Sequence, residues 1–230
     1  MVAGAVAAVS GFGIGSILTP VLMLSLPTAH AVAVVSIPHA WATTLRFLRL
    51  RRNIDRATFR QFGVASAIGG LAGAALQSRL GSAVLTIALA TLLILAGGSE
   101  LLRRPVPLPR TSFWRLAGGV ASGFFGGLVG NQGGIRAAAL LGFGLPVKAL
   151  VATATASALL VDLARVPIYL VNAGPVIARS APVWLVASAG VTIGTFIGVP
   201  VLSRIPPDTY RAVVGGLLVL LGVSLIFIAP

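Results

Sequence analysis

The sequence predicts an all-α polytopic membrane protein made of two homologous four-segment repeats whose helices are interrupted by glycine at matching places. Three observations carry that prediction. Hydrophobic residues are 57% of the 230-residue chain and charged ones 9%, against about 25% charged in a soluble domain. Mean hydropathy is +1.02. The basic residues gather in short stretches between apolar runs, and the two halves of the chain align on one another.

The apolar runs fall at 1–26, 28–48, 61–79, 82–102, 114–145, 147–171, 181–203 and 208–229. A helical span needs about 20 apolar residues, and most of these qualify singly. The first has no basic stretch before it and reads as a membrane segment rather than a signal peptide. Two runs are cut, the first by Gly11-Phe12-Gly13-Ile14-Gly15 and the fifth by Gly130-Asn131-Gln132-Gly133-Gly134. Each cut is expected to leave halves of about ten residues, too short to cross alone. Such a segment is either a broken crossing or a re-entrant hairpin, and its bare backbone must face protein or water. The two cut segments are expected to meet near the membrane centre.

A shift of 119 residues places Gly11 on Gly130, Gly15 on Gly134, Pro27 on Pro146, Arg46 on Arg165 and Asn53 on Asn172. Further on, a shift of 125 places Gly69 on Gly194, Gly73 on Gly198 and Ser78-Arg79-Leu80 on Ser203-Arg204-Ile205. The chain therefore divides into membrane repeat 1 (1–102), a basic, proline-rich linker (103–113) and membrane repeat 2 (114–230), with no extramembrane domain expected. Glycine and proline are frequent in membrane helices, which accounts for 28 and 14 of them here. The Gly69–Gly73 and Gly194–Gly198 pairs have the four-residue spacing of close helix packing.

The net charge of +13 raises nucleic-acid binding, which the placement of the charge argues against. Arg46, Arg49, Arg51, Arg52, Arg56 and Arg60, then Arg103, Arg104, Arg110 and Arg115, lie in or beside two short loops. That is how cytoplasmic loops orient a membrane protein. The loop after segment two is arginine-rich in the first copy; its expected counterpart, 172–180, holds only Arg179. The turn before segment two has Lys148 in the second copy alone, and the turn between segments three and four has Arg79 against Arg204 and Arg211. All three comparisons favour inverted copies, each a re-entrant hairpin plus three spans, over a parallel pair of four-span units.

Gly11-x-Gly13-x-Gly15 followed by Pro20, then Leu26-Pro27 and a helix of small residues, resembles the sulfite exporter TauE/SafE family. The break, its repetition and the basic loop extend the resemblance over essentially the whole chain. The family pattern is G-x-G-G-G-x-x-x-x-P; here Ile14 stands at the middle glycine, and Ala139 stands in the second copy where the first has Pro20. The resemblance implies a secondary carrier, in the bacterial cytoplasmic membrane, for sulfite, thiosulfate, a sulfonate or a related organic anion. It does not fix substrate or direction.

The residues supply a chemistry for such a site. A half-helix starting at Gly15 or Gly134 would present unpaired N–H groups and a partial positive charge to an anion, and glycine lets backbone approach a ligand. Gly13, Gly15, Ser16, Asn131, Gln132, Gly133 and Gly134 are the candidate binding residues at the breaks. Arg136 joins them because an intramembrane guanidinium suits an oxyanion; interfacial snorkelling is its bland alternative. For coupling or gating the candidates are Asp162, Arg165 and Tyr169, on one face of segment six with Thr155, and His39 and Arg46 on segment two. Asp162 and Arg165 are close enough to pair, so a neutralised packing pair is an equal reading. Asp55 and Asp208 read as loop residues. Pro38 is expected to kink its helix.

The chain has no cysteine, which removes disulfides and thiolate metal sites. It also lacks H-E-x-x-H, G-x-S-x-G and a Walker loop. No enzyme activity, cofactor or metal is expected. The expected partners are a small anion, the lipid bilayer and a coupling ion (proton or sodium), with no nucleic acid; a homo-oligomer stays open. An anion channel of the same architecture is the first rival, and a non-transport membrane protein the second.

Overall fold

The computed structural model describes residues 14–102, 111–194, 196 and 206–228, with no strand among them. Among the described residues nine principal helices follow in order: α1 (Ile14–Leu22), α2 (Thr28–Leu50), α3 (Val64–Gln77), α4 (Ser82–Leu101), α5 (Ser112–Val129), α6 (Gly133–Leu141), α7 (Val147–Arg179), α8 (Ala181–Ile193) and α9 (Pro207–Ile228). The stretches Thr28–Asn53, Ser82–Leu101, Val147–Arg179 and Asp208–Phe227 are each long and apolar enough to cross a membrane. Val171 and Phe227 point outward at 84% exposure, which fits hydrocarbon and not water as the surrounding phase.

Pro27 and Pro146 start α2 and α7 with near-identical backbone, φ −54° and ψ 148° against φ −56° and ψ 146°. Proline is suited there because the first turn needs no N–H donor. α2 continues through Pro38 as one helix, and the Ser36 hydroxyl donates to the Ala33 carbonyl at 2.6 Å. After α2, a 3₁₀ turn (Arg51–Asn53), a helical turn (Arg56–Thr58) and a π-helical turn (Phe59–Gly63) lead into α3. The Asp55 carboxylate caps that entry by accepting from the Thr58 N–H at 2.8 Å. Its own N–H donates to Thr153 Oγ1 at 3.0 Å, which fastens the basic loop to α7.

α3 lies against α5 with backbone on backbone. A side chain at Gly69 or Gly73 would meet the carbonyls of Val120 or Phe124, and one at Gly123 or Gly127 would meet those of Ser66 or Gly70. The Gly69–Gly73 spacing is thus a packing device, whereas Gly198 of the Gly194–Gly198 pair lies outside the described residues. α4 and α9 pair antiparallel: Gly97 faces the Gly215 carbonyl, and Gly222 faces the carbonyl of Ala90. Leu85, Leu89 and Leu93 bury there against Val214, Leu218 and Leu225. α2 and α7 also run antiparallel, since His39 meets Asp162 while the chain beyond α2 meets Thr153.

Four sequence expectations are corrected. The cut in segment five leaves unequal halves of 18 and nine residues, because Thr111 caps a start at Ser112, accepting from the Trp114 N–H. The 172–180 stretch is not a loop: α7 runs to Arg179 with a kink at Ala173. Pro175 cannot donate an N–H, which breaks the ladder locally, while buried Ala173 and Ile177 keep the extension packed and Trp184 Nε1 donates to the Ile177 carbonyl at 3.0 Å. Arg179 is accordingly in the last turn of α7, a favourable end for a cation. Asp208 is in the first turn of α9, where Pro207 and a carboxylate both suit a helix start.

Candidate functional site

α5 ends at Gly130 in the left-handed conformation, φ 73°, which an L side chain would resist. The chain then folds back along α5: the Arg115 guanidinium, one turn into α5, donates to the Gly142 carbonyl just beyond α6 at 3.4 Å. A side chain at Gly130 would touch Val32 of α2, Arg165 of α7 and Thr19 of α1. From the other half of the chain, Gly15 abuts the Gly130 carbonyl so closely that no Cβ would fit. The second break and the start of α1 therefore meet. Gly13 lies outside the described residues.

Beside that junction sits a buried ionic centre. The fully buried Asp162 carboxylate takes His39 Nδ1 on Oδ2 at 2.8 Å. Its Oδ1 accepts Arg165 Nε at 3.0 Å and Nη2 at 2.8 Å. Arg165 Nη1 donates onward to the Gly126 carbonyl, and the Tyr169 hydroxyl donates to that of Gly127. Both carbonyls belong to the last turn of α5, where that of Gly126 also accepts from the Gly130 N–H at 3.1 Å. Arg165 and Tyr169 of α7 thus hold the end of α5 in place.

Arg46 and Arg136 complete the centre. Arg136, only 5% exposed, lies within electrostatic reach of Arg46, Asp162 and Arg165, and Arg46 within reach of Asp162. The other three carboxylates of the chain are elsewhere. Asp55 caps its turn, Glu100 pairs with Arg211 at 3.8 Å, and Asp208 is in the first turn of α9. Three guanidiniums therefore lie within electrostatic reach of one carboxylate, and Arg165 pairs with it directly.

Of the residues singled out from sequence, His39, Arg46, Arg136, Asp162, Arg165 and Tyr169 come together. Gly15 and Ser16 are buried where α1 begins. Asn131 and Gln132 are 6% and 3% exposed, and Gly133 and Gly134 are half-buried in the first turn of α6. Arg136 N–H is the first to close a helical bond, to the Gln132 carbonyl at 3.0 Å, so the N–H groups of Gly133, Gly134 and Ile135 have no acceptor inside the helix. Thr155 shares the α7 face but spends its hydroxyl on the Val151 carbonyl at 2.8 Å. Thr43 was missed, although its spacing from His39 and Arg46 puts it on their face; its hydroxyl lies 3.5 Å from His39 Nδ1. The carbonyls of Gly126 and Gly127 carry no sequence signal at all. No group of three or more metal-ligating side chains occurs among the described residues.

Residues 1–225 match the protein-family model described as Sulfite exporter TauE/SafE. No curated protein and no solved structure matches the chain.

Proposed function

Because the chain belongs to the sulfite exporter TauE/SafE family of membrane permeases for sulfur anions, we propose that it is a secondary carrier for a small sulfur-containing anion in a bacterial cytoplasmic membrane. The observation that carries the reading is the cluster of buried Arg136, Arg165 and His39 with half-buried Arg46, all within electrostatic reach of the single carboxylate of Asp162. Three positive charges less one leave an excess of two with His39 neutral, and such an excess is costly away from water. A divalent oxyanion offsets it. Its oxygens take charge-assisted bonds from the Arg136 fork and neutral ones from the open N–H groups at the start of α6. Asp162, shared by His39 and Arg165, is the group through which a proton would couple to the anion. No enzymatic step belongs to this reading.

The proposal includes inverted repeats. Under the shift of 119, α1 (Ile14–Leu22) falls on α6 (Gly133–Leu141), and the first residue of α2 on that of α7. Under 125, the first residue of α4 falls on that of α9. The packing recurs in exchanged form: α1 with α2 and α6 with α7, α3 with α7 and α8 with α2. Equivalent helices that pair antiparallel, as α4 with α9 and α2 with α7 do, fit a two-fold axis lying in the membrane plane. The folded-back α5–α6 segment then serves as a re-entrant hairpin, giving three crossings per repeat.

Purified protein in liposomes tests the function. Sulfite or thiosulfate flux should saturate, and a proton or a sodium gradient should drive it, identifying the coupling ion. Flux that rises without saturation and ignores both gradients supports the channel instead. Single cysteines replace Arg52 and Arg179 to test the topology, with labelling expected from opposite faces. Labelling of both from the cytoplasm supports the parallel arrangement.

A further inference from the structure

A cavity of about 610 Å³ separates α4 from α6. Its walls include Ala88, Thr91, Leu95, Ala138 and Leu141, its floor Asn131 and Gln132, and its rim Glu100 and Arg211. From Ala88 to Glu100, α4 rises by about 18 Å at 1.5 Å per residue, more than half of a hydrocarbon core of about 30 Å. One end therefore lies at the level of the ionic rim, and the other at the depth of the second break. The floor is built of polar atoms in need of partners. Asn131 Nδ2 and both amide atoms of Gln132 are buried and have no hydrogen-bond partner among the described residues, and leaving such groups unmatched is costly. The floor is also one residue from the ionic centre: the Gln132 amide lies against Gly126, whose carbonyl accepts from Arg165. The other half of the chain differs. There α1 packs directly on α9, the pair that corresponds to α6 and α4.

We infer that the α4–α6 cavity is an aqueous vestibule through which the anion reaches the arginine centre from the cytoplasmic side, with Asn131 and Gln132 as its inner polar contacts. The inference rests on the anion-carrier reading above. Water in the vestibule satisfies the irregular backbone of the break, and the α1–α9 contact closes the equivalent path from the other face. The Glu100–Arg211 pair stands where an anion enters. The side follows from α4 ending at the basic linker, with Arg211 at the same rim.

Single cysteines at Thr91 and Ala138, introduced into this cysteine-free chain, test it with the charged reagent 2-sulfonatoethyl methanethiosulfonate. The reagent applied to the cytoplasmic face should modify both positions, and applied to the opposite face it should react roughly 100-fold more slowly, since a charge crosses hydrocarbon poorly. Modification should lower sulfite flux at least about tenfold relative to the same unmodified variant, and sulfite should slow the modification, because both use one path. Reaction only with a membrane-soluble maleimide would mean that the groove faces lipid. Spontaneous cross-linking of two copies would make it a self-association surface, and modification without loss of flux would place it off the path. Each of those results overturns the inference. The carrier reading fails separately, by sulfite flux that neither saturates nor responds to a proton or sodium gradient, and the vestibule would survive that result if modification still blocked flux.

Discussion

Replacing Asp162 by Asn removes the carboxylate that holds both His39 and Arg165. The lost contacts are short, 2.8 Å to His39 and 2.8 Å and 3.0 Å to Arg165, and all three side chains are buried. Unit charges about 4 Å apart interact by about 4 kcal/mol at an effective dielectric of about 20. Leaving a buried partner uncompensated costs about 3–5 kcal/mol in measured cases. At about 2–4 °C per kcal/mol for a chain of this size, the thermal midpoint of the Asn variant should fall on the order of 10 °C. The assay is intrinsic fluorescence on heating in detergent, which the three tryptophans allow. Sulfite should raise the midpoint of the variant by more than that of the wild type, because the variant has three guanidiniums and no carboxylate at the centre. A midpoint within about 1 °C of wild type, less than the loss of even one such contact, would show that the carboxylate does not organise the centre. A fall that sulfite does not reduce would separate the ion pair from anion binding.

Two further predictions follow from local packing and charge. Gly73→Ala places a Cβ on the Phe124 carbonyl and should destabilise by about 1–3 kcal/mol, whereas Gly98→Ala meets nothing within 4 Å and should be neutral or stabilising by up to about 1 kcal/mol; equal midpoints would refute the backbone contact. The Thr58 N–H holds the Asp55 carboxyl below the usual carboxylate range. Its folded pKa being depressed, the cap contributes stability above the unfolded value of about 3.9 and loses it as pH falls through the lower folded value. Asp55→Ala should therefore cost about 1 kcal/mol at neutral pH and much less under strong acid, as read from thermal midpoints across pH; an unchanging difference would refute the cap.

The chain stated its class openly because membrane segments are uniform: every face of α4 or α9 is apolar, and no tertiary contact is needed to read that. The break at Gly130 was legible for the same reason, since a glycine-rich polar run has few uses inside a membrane. The pairing of Asp162 with Arg165 follows from helical spacing alone. His39 meeting Asp162 across 123 residues does not, because it depends on how α2 lies against α7. The continuation of α7 to Arg179 was obscured by Pro175 and Asn172, which read locally as a turn. What overrides them is burial of Ala173 and Ile177 against α2, a long-range effect. The carbonyls of Gly126 and Gly127 were invisible for a different reason: any residue there would supply a carbonyl, and only the packing of α7 on the end of α5 brings Arg165 and Tyr169 to them.

The central claim, that the buried arginines hold the anion, is tested most directly by sulfite affinity and flux in Arg136→Lys and Arg136→Gln beside Arg179→Gln. Arg136 is buried beside the break; Arg179 is exposed in the last turn of α7, where water and salt screen it. Hydrogen bonds to a charged group contribute about 1.5–3 kcal/mol each. Losing the fork in Arg136→Lys should therefore weaken sulfite roughly tenfold to 100-fold, and losing the charge in Arg136→Gln should weaken it further, both with normal insertion. Arg179→Gln should leave affinity within about twofold of wild type. Wild-type affinity and rate in both Arg136 variants would contradict the account and leave that arginine a structural one.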